Sequence, residues 1–255
     1  MKIFRLIGIM TLLVFSFYLT DFVTELAINT NPIMQSIKIN SNNYFVESVN
    51  ATIDKNTIIP GIKGKKINEM ESFLNMKDFG AFNSNYIIYD DIKPEISIES
   101  NKDKIIISGN KNIRQVSLLL FNNDNLIEYL KSNKIKYSKL INSNDILDVN
   151  ENINIENDKK LFDNIDTLLK KKDLNKKICI LNYSNIESCK EKEYYLVKPT
   201  YIVKNNNIIN IINNIESGNI LLIENNLSIE NLKLLISRIN NKDIEINYLS
   251  DLIKE

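Results

Sequence analysis

The chain contains no histidine and no tryptophan, so any chemistry it performs must run on carboxylates, amides, thiols, hydroxyls and amines. Without histidine there is no ordinary general base near neutral pH, and none of the imidazole that most catalytic zinc sites use. A metal site would have to be assembled from Asp, Glu, Asn or Cys alone. Cys179 and Cys189 are the two cysteines. In an exported chain a pair this close forms a disulfide; otherwise they are free thiols, with Cys179 a small buried hydrophobe between Ile178 and Ile180. Gly61-Ile62-Lys63-Gly64-Lys65-Lys66 has the outline of a phosphate loop. It lacks the spacing and the Ser or Thr after the lysine, and follows Pro60, so it reads as a turn between strands. Asp90, Asp91 and Asp173 read as solvated turn residues, and Lys170 to Lys172 as the basic end of a helix. Asn-x-Ser/Thr triplets at Asn50, Asn182 and Asn226 are what an Asn-rich chain produces by chance.

These residues sit in a chain of 255 residues, 44% hydrophobic, with 32 basic and 32 acidic side chains. That is enough for one good-sized core, or one core with a small appendage. A net charge of zero and the lack of a basic stripe argue against nucleic acid as a partner. The many Asn residues are interleaved with Ile, Leu and Val, unlike a low-complexity tract.

The amino terminus gives the strongest positional signal. Lys2 and Arg5 precede an apolar run from Leu6 to Leu19, which Ile3, Phe4, Phe22 and Val23 extend; Asp21 and Glu25 follow. Positive before and acidic after sets the N-terminus inside and the body outside. No small-residue cleavage site follows Leu19, so an uncleaved single-pass anchor is favoured over a cleaved signal, which would give a secreted protein.

Residues 1–28 are therefore expected to form the anchor or signal segment, and 29–112 a stalk and small strand-rich lead-in. In the lead-in, Thr57 to Ile59, Tyr86 to Tyr89, Ile96 to Ile98 and Lys104 to Ser108 read as strands, and Asn68 to Phe79 as a short helix. From residue 113 to 255 strands and helices alternate. Strands are expected at 116–121, 137–141, 177–182, 195–203, 220–223 and 245–248, and helices at 126–132, 159–171, 208–215 and 228–239. This alternation argues an α/β fold with a mostly parallel sheet or barrel.

Two stretches carry a family resemblance. Gln115-Val-Ser-Leu-Leu-Leu-Phe-Asn122-Asn123-Asp124, followed by a helix and a short strand, resembles the opening of the polysaccharide deacetylase (NodB-homology) domain. There the first strand ends in Thr-Phe-Asp-Asp. Gly218-Asn-Ile-Leu-Leu-Ile-Glu224-Asn225, then a helix and Leu249-Ser-Asp-Leu252, resembles its closing stretch, Gly-x-Ile-Ile-Leu-Leu-His-Asp and Leu-Ser-Glu-Leu. The resemblance covers about residues 113 to 254. It implies a distorted deacetylase-like (β/α) barrel preceded by the membrane helix and the lead-in. It also implies lost machinery: the family's catalytic base falls on Asn122, a metal ligand on Asn123, and the late acid histidine on Glu224. Asn is no base and at most a weak neutral ligand, so no catalytic residue, metal or cofactor is expected.

The resulting expectation is an inactive deacetylase-like domain at the cell envelope, binding carbohydrate or a partner protein, with the membrane as partner of the N-terminal helix. Asp124, Glu224 and Asn225 are the candidate binding residues at the barrel mouth. The alternatives are an active hydrolase using a carboxylate pair such as Asp124 and Glu224, and a purely structural envelope protein.

Overall fold

A computed structural model describes residues 2–145 and 151–255, with side chains from residue 7 onward. The side chains of Lys2 and Arg5, on which the orientation argument leans, lie outside the described residues. In chain order the first elements are α1 (Lys2–Thr30), α2 (Pro32–Asn40), β1 (Thr52–Asp54), β2 (Thr57–Ile59), β3 (Gly64–Ile67), α3 (Glu69–Met76), β4 (Tyr89–Ile92) and β5 (Ile105–Ile106). Then come β6 (Gln115–Leu120), α4 (Asp124–Ser132), β7 (Ser138–Ile141), β8 (Glu151–Asn154), α5 (Lys159–Lys171), β9 (Ile178–Ile180) and α6 (Ile186–Glu191). The last part is β10 (Tyr195–Val197), β11 (Tyr201–Val203), α7 (Ile208–Asn214), β12 (Ile220–Ile223), α8 (Ile229–Asn241), β13 (Glu245–Asn247) and α9 (Leu249–Leu252). The chain groups into two compact units: Met1–Ser48 with Lys63–Ile92, and Val49–Ile62 with Lys93–Glu255.

In the smaller unit, α1 is one continuous helix whose stretch Ile7–Thr30 is long and apolar enough to cross a membrane, with none of it buried. The stalk expected after it is a second helix. Asn31 caps α2 through its side chain and Pro32 occupies the first turn, where its missing N–H costs nothing. Ile33, Met34 and Ile37 of α2 close a small core with Ile67, Phe73, Met76 and Ile87. Asp90 and Asp91 are not in a turn. They lie in β4, opposite Lys66 and Lys65 of β3, a cross-strand charge match. Gly64, read as part of a turn between strands, instead starts β3, where a Cβ would sit 2.3 Å from the Val46 carbonyl. The glycine therefore serves close backbone approach.

In the larger unit, β6 is the centre of a parallel sheet ordered β11-β12-β6-β7-β8. β12 lies along one edge of β6; the other edge is shared, with β13 on Gln115–Ser117 and β7 on Leu119–Leu120. A second sheet runs β1-β2-β5-β10-β9. The two meet at two seams. One is a parallel bridge from Asn152 to Asn175. At the other, Thr200 Oγ1 donates to Ile107 O and accepts from Ile220 N, each at 3.0 Å. The expected strand 195–203 is split in two here, because Pro199 cannot donate to a ladder.

Side chains alternate across this wall. Leu119, Leu140, Ile153, Ile180, Val197 and Leu222 point to one shared interior. Val116, Leu118, Leu120, Leu221 and Ile223 point outward, under the apolar faces of α4, α7 and α8. A satellite core beside α5 and α6 contains Phe162, Tyr194, Leu196 and the two cysteines, joined as a Cys179–Cys189 disulfide.

One end of the interior is plugged. Leu249 and Leu252 of α9 enter it, at the end where the strands begin. The Leu249 N–H donates to Ser138 Oγ at 2.9 Å. Ser138 Oγ donates in turn to Glu151 Oε1 at 2.8 Å, and the Ser250 N–H donates to the same oxygen at 3.1 Å. Glu151 thus caps a helix start from a position only 4% exposed. Burial pushes its pKa up, against the hydrogen bonds from Ser250 and Ser138. A carboxyl raised in the folded state makes the protein more stable as pH falls from neutral toward the ordinary carboxylate range. Glu151→Gln keeps the acceptor without the charge. It is expected to remove that acid-side gain while leaving stability in the ordinary carboxylate range close to wild type, which urea midpoints measured across pH would check.

Candidate functional site

With α9 closing the end where the strands begin, the other end is where they finish. Six segments emerge there: Asn122–Asp124 after β6, Asn142 after β7, Ile155–Glu156 after β8, Asn182–Ser184 after β9, Lys204–Asn205 after β11 and Glu224–Asn226 after β12. Functional residues gather at such ends because loops there can vary without disturbing the wall.

The floor of this mouth is apolar. Phe121 and Tyr183 set their rings 5.6 Å apart, inclined by 56°. Both, with Ile155, pack against the interior cluster. Tyr183 reaches this place because Asn182 adopts a left-handed backbone (φ 71°), a conformation Asn tolerates. Behind it Ser184 Oγ donates to Asn154 O and accepts from Ile180 N, at 2.8 and 3.0 Å.

Over the floor lie the residues singled out from the sequence. Asn122 is exposed and makes no side-chain hydrogen bond among the described residues. Asn123 is engaged at both ends. Its Oδ1 accepts from the Leu126 N–H at 3.1 Å, capping α4, and its Nδ2 donates to the Asn225 carbonyl at 2.6 Å. Asp124 is exposed in the first turn of α4, where a carboxylate suits the helix dipole. Glu224 forms a 2.6 Å ion pair with Lys204. The hydrogen bond that the Lys204 ammonium donates to Glu224 is the main reason it is held above its ordinary pKa. Asn225 is exposed and offers its carbonyl to Asn123. The structure thus links Asn123 to Asn225, while no hydrogen bond or ion pair joins Asp124 to Glu224.

Sequence reading missed Lys204, Tyr183 and the amide framework of Asn205 and Asn207. Asn205 accepts from Ser228 N at 2.9 Å and donates to Asn226 O at 2.7 Å; Asn207 accepts from Lys204 N at 2.8 Å. These amides fix the loops that present Lys204 and Glu224. In a chain this rich in Asn, no local pattern distinguishes them.

A deacetylase-type metal does not fit these residues. The position expected to hold it, Asn123, uses its carbonyl oxygen as a helix cap, and Glu224 faces a cation already. Among the described residues no group of three or more His, Cys, Asp or Glu comes together. The arrangement can instead offer hydrogen-bonding amides, a paired charge and two aromatic rings.

No protein-family model matches the chain. Among curated proteins, the uncharacterized protein YlxY of Bacillus subtilis (strain 168) is 33% identical over 101 residues, 39% of this chain and 31% of that protein. The match thus spans under a third of the relative's length. Among solved structures, BA3943 of Bacillus anthracis, a CE4 family pseudoenzyme, aligns with a TM-score of 0.59 at 17% identity, covering 88% of this chain and 95% of that one. A BA3943 mutant with restored enzymatic activity gives 0.60 at 18% identity, covering 88% and 98%. At such identities the likeness is one of fold. The deacetylase-like α/β architecture read from the two sequence stretches is the architecture of these carbohydrate-esterase-type structures.

Proposed function

We propose, for a chain with the fold of CE4 pseudoenzymes, that it is anchored in a membrane by α1 with its body outside the cytoplasm. Its deacetylase-like domain binds carbohydrate or a partner protein at the cell envelope and does not catalyse. The observation that supports this best is the condition of the mouth. Asn123 is consumed as a cap and tie, Glu224 is neutralised by Lys204, and Phe121 and Tyr183 occupy the floor where a reacting group would sit. The likeness to a CE4 pseudoenzyme supports the same reading by analogy of fold. The exposed amides of Asn122 and Asn225 beside aromatic rings suit a neutral, hydroxyl-rich ligand.

The test uses the full chain in detergent with an N-acetylated glucosamine oligosaccharide. No acetate release is expected, with or without added divalent metal. Calorimetric binding is expected, weakened roughly fivefold by Asn122→Ala through loss of about one hydrogen bond. Acetate release abolished by EDTA would overturn the non-catalytic reading. Metal-independent release lost in Glu224→Gln would establish a carboxylate hydrolase instead. Absence of both binding and turnover would remove the carbohydrate ligand and leave a protein partner.

A further inference from the structure

The smaller unit carries more exposed apolar surface than its size explains. Outside α1, eight large hydrophobic side chains of this unit are exposed, within the short segments 31–48 and 63–92; the far longer second unit also has eight. Ile39 (77% exposed), Phe79 (60%), Phe45 and Val46 (53% each) stand out most. Phe79 and Tyr86 stack on each other, ring centroids 4.5 Å apart, without being covered. Isolated exposed hydrophobes need no explanation, but an uncovered aromatic stack in a unit with this share of exposed apolar side chains calls for an occupant.

We infer that this surface lies against the outer face of the bilayer that α1 crosses, embedding Phe79, Tyr86 and their apolar neighbours among the lipid headgroups. The inference rests on the membrane-anchor reading and adds a second contact to it. Three observations favour lipid over a protein occupant. First, α1 has 29 residues, about 43 Å at 1.5 Å each, which matches a bilayer with its headgroup layers. Second, no linker follows. α1 ends at Thr30 and α2 begins at Pro32, so the unit starts at the headgroup layer. Third, the end of α1 is built into the unit, because Ile28 packs against the core of Ile33, Met34 and Ile37. A unit held this close to the membrane has lipid as its nearest apolar phase, and aromatic side chains are suited to the interface.

Because the chain has no tryptophan, a single introduced one reports without background. The full chain is reconstituted into phosphatidylcholine nanodiscs with acyl chains brominated near the headgroup or near the middle. Phe15→Trp, in the apolar run of α1, tests the anchor; Phe79→Trp tests the second contact and keeps the ring stack. Phe15→Trp is expected to be quenched most by mid-chain bromine. Phe79→Trp is expected to lose about half its emission to bromine near the headgroup and to be blue-shifted, as for a side chain a few ångström into the boundary. If Phe15→Trp is quenched and Phe79→Trp is not, the anchor stands and the inference is overturned. Unquenched emission at the water maximum would then mean solvent, and a blue shift without quenching would mean a second copy or another protein. If Phe15→Trp is unquenched, the anchor reading fails and the inference falls with it.

Discussion

Leu222→Ala is expected to lower the unfolding free energy by about 4 kcal/mol, from lost transfer energy and from the cavity left behind. Leu222 is fully buried and shares the interior with residues from both sheets and from α9. That interior is lined by a wall stitched at two seams, so neighbours cannot move inward to fill the space. The neighbouring strand supplies the control. Ile202 of β11 is 40% exposed, and Ile202→Ala should cost about 1 kcal/mol or less. Urea unfolding followed by circular dichroism would measure both, and equal costs would contradict the shared interior.

The second large effect is polar. Asp166 of α5 is 2% exposed, yet it accepts from Asn175 Nδ2 at 2.5 Å and Lys192 Nζ at 2.9 Å, pairs with Lys170 Nζ at 3.0 Å, and accepts the Tyr194 hydroxyl. Asp166→Ala leaves these donors facing a buried gap and is expected to cost about 3 kcal/mol, the low end for breaking a buried pair because the lysines reach solvent. Burial opposes ionisation of Asp166, but hydrogen bonds from Tyr194, Lys192 and Lys170 outweigh it and hold its pKa below the ordinary value. A carboxyl lowered in the folded state contributes stability that is fully present above its unfolded pKa. That contribution is lost as pH falls through the folded value. Wild type should therefore lose stability on acidification below the ordinary carboxylate range, and Asp166→Ala should lose less over the same range. Parallel pH profiles for the two proteins would rule the network out as the source.

How legible these features were depended on the residues that bury them. The continuous apolar runs of β6 and β12 could be read as fully buried strands, since parallel strands lack a solvent face. So could α5 and α8, whose apolar spacing is helical and whose caps Asp158 and Ser228 are ordinary ones. β8 was invisible: its letters are Glu-Asn-Ile-Asn, and Glu151, Asn152 and Asn154 are buried there with partners that only the fold supplies. Ile96 to Ile98, read as a strand, forms none. Its Ile98 N–H instead donates to the Glu255 carboxylate at 2.8 Å, a partner far along the chain. At the mouth, the loss of family letters at Asn122, Asn123 and Glu224 could be read from the sequence. The use of Asn123 as a cap and of Lys204 as a counter-ion could not, because both depend on segments brought together across the sheet.

The shared edge of β6 bears on how the chain is made. β6 is the first long strand of the larger unit, but β12 and β13, which flank it, are synthesised only after α4, α5, α6, α7 and the strands between them. Until they arrive, one whole side of β6 lacks a partner, and its outward leucines lack the cover of α8. A ribosome that stalls before Ile220 would release an unpaired, hydrophobic strand edge, the feature that invites aggregation and proteolysis. The edge is sealed only when β12 docks along it, so a chain broken off before that strand carries its own mark in β6.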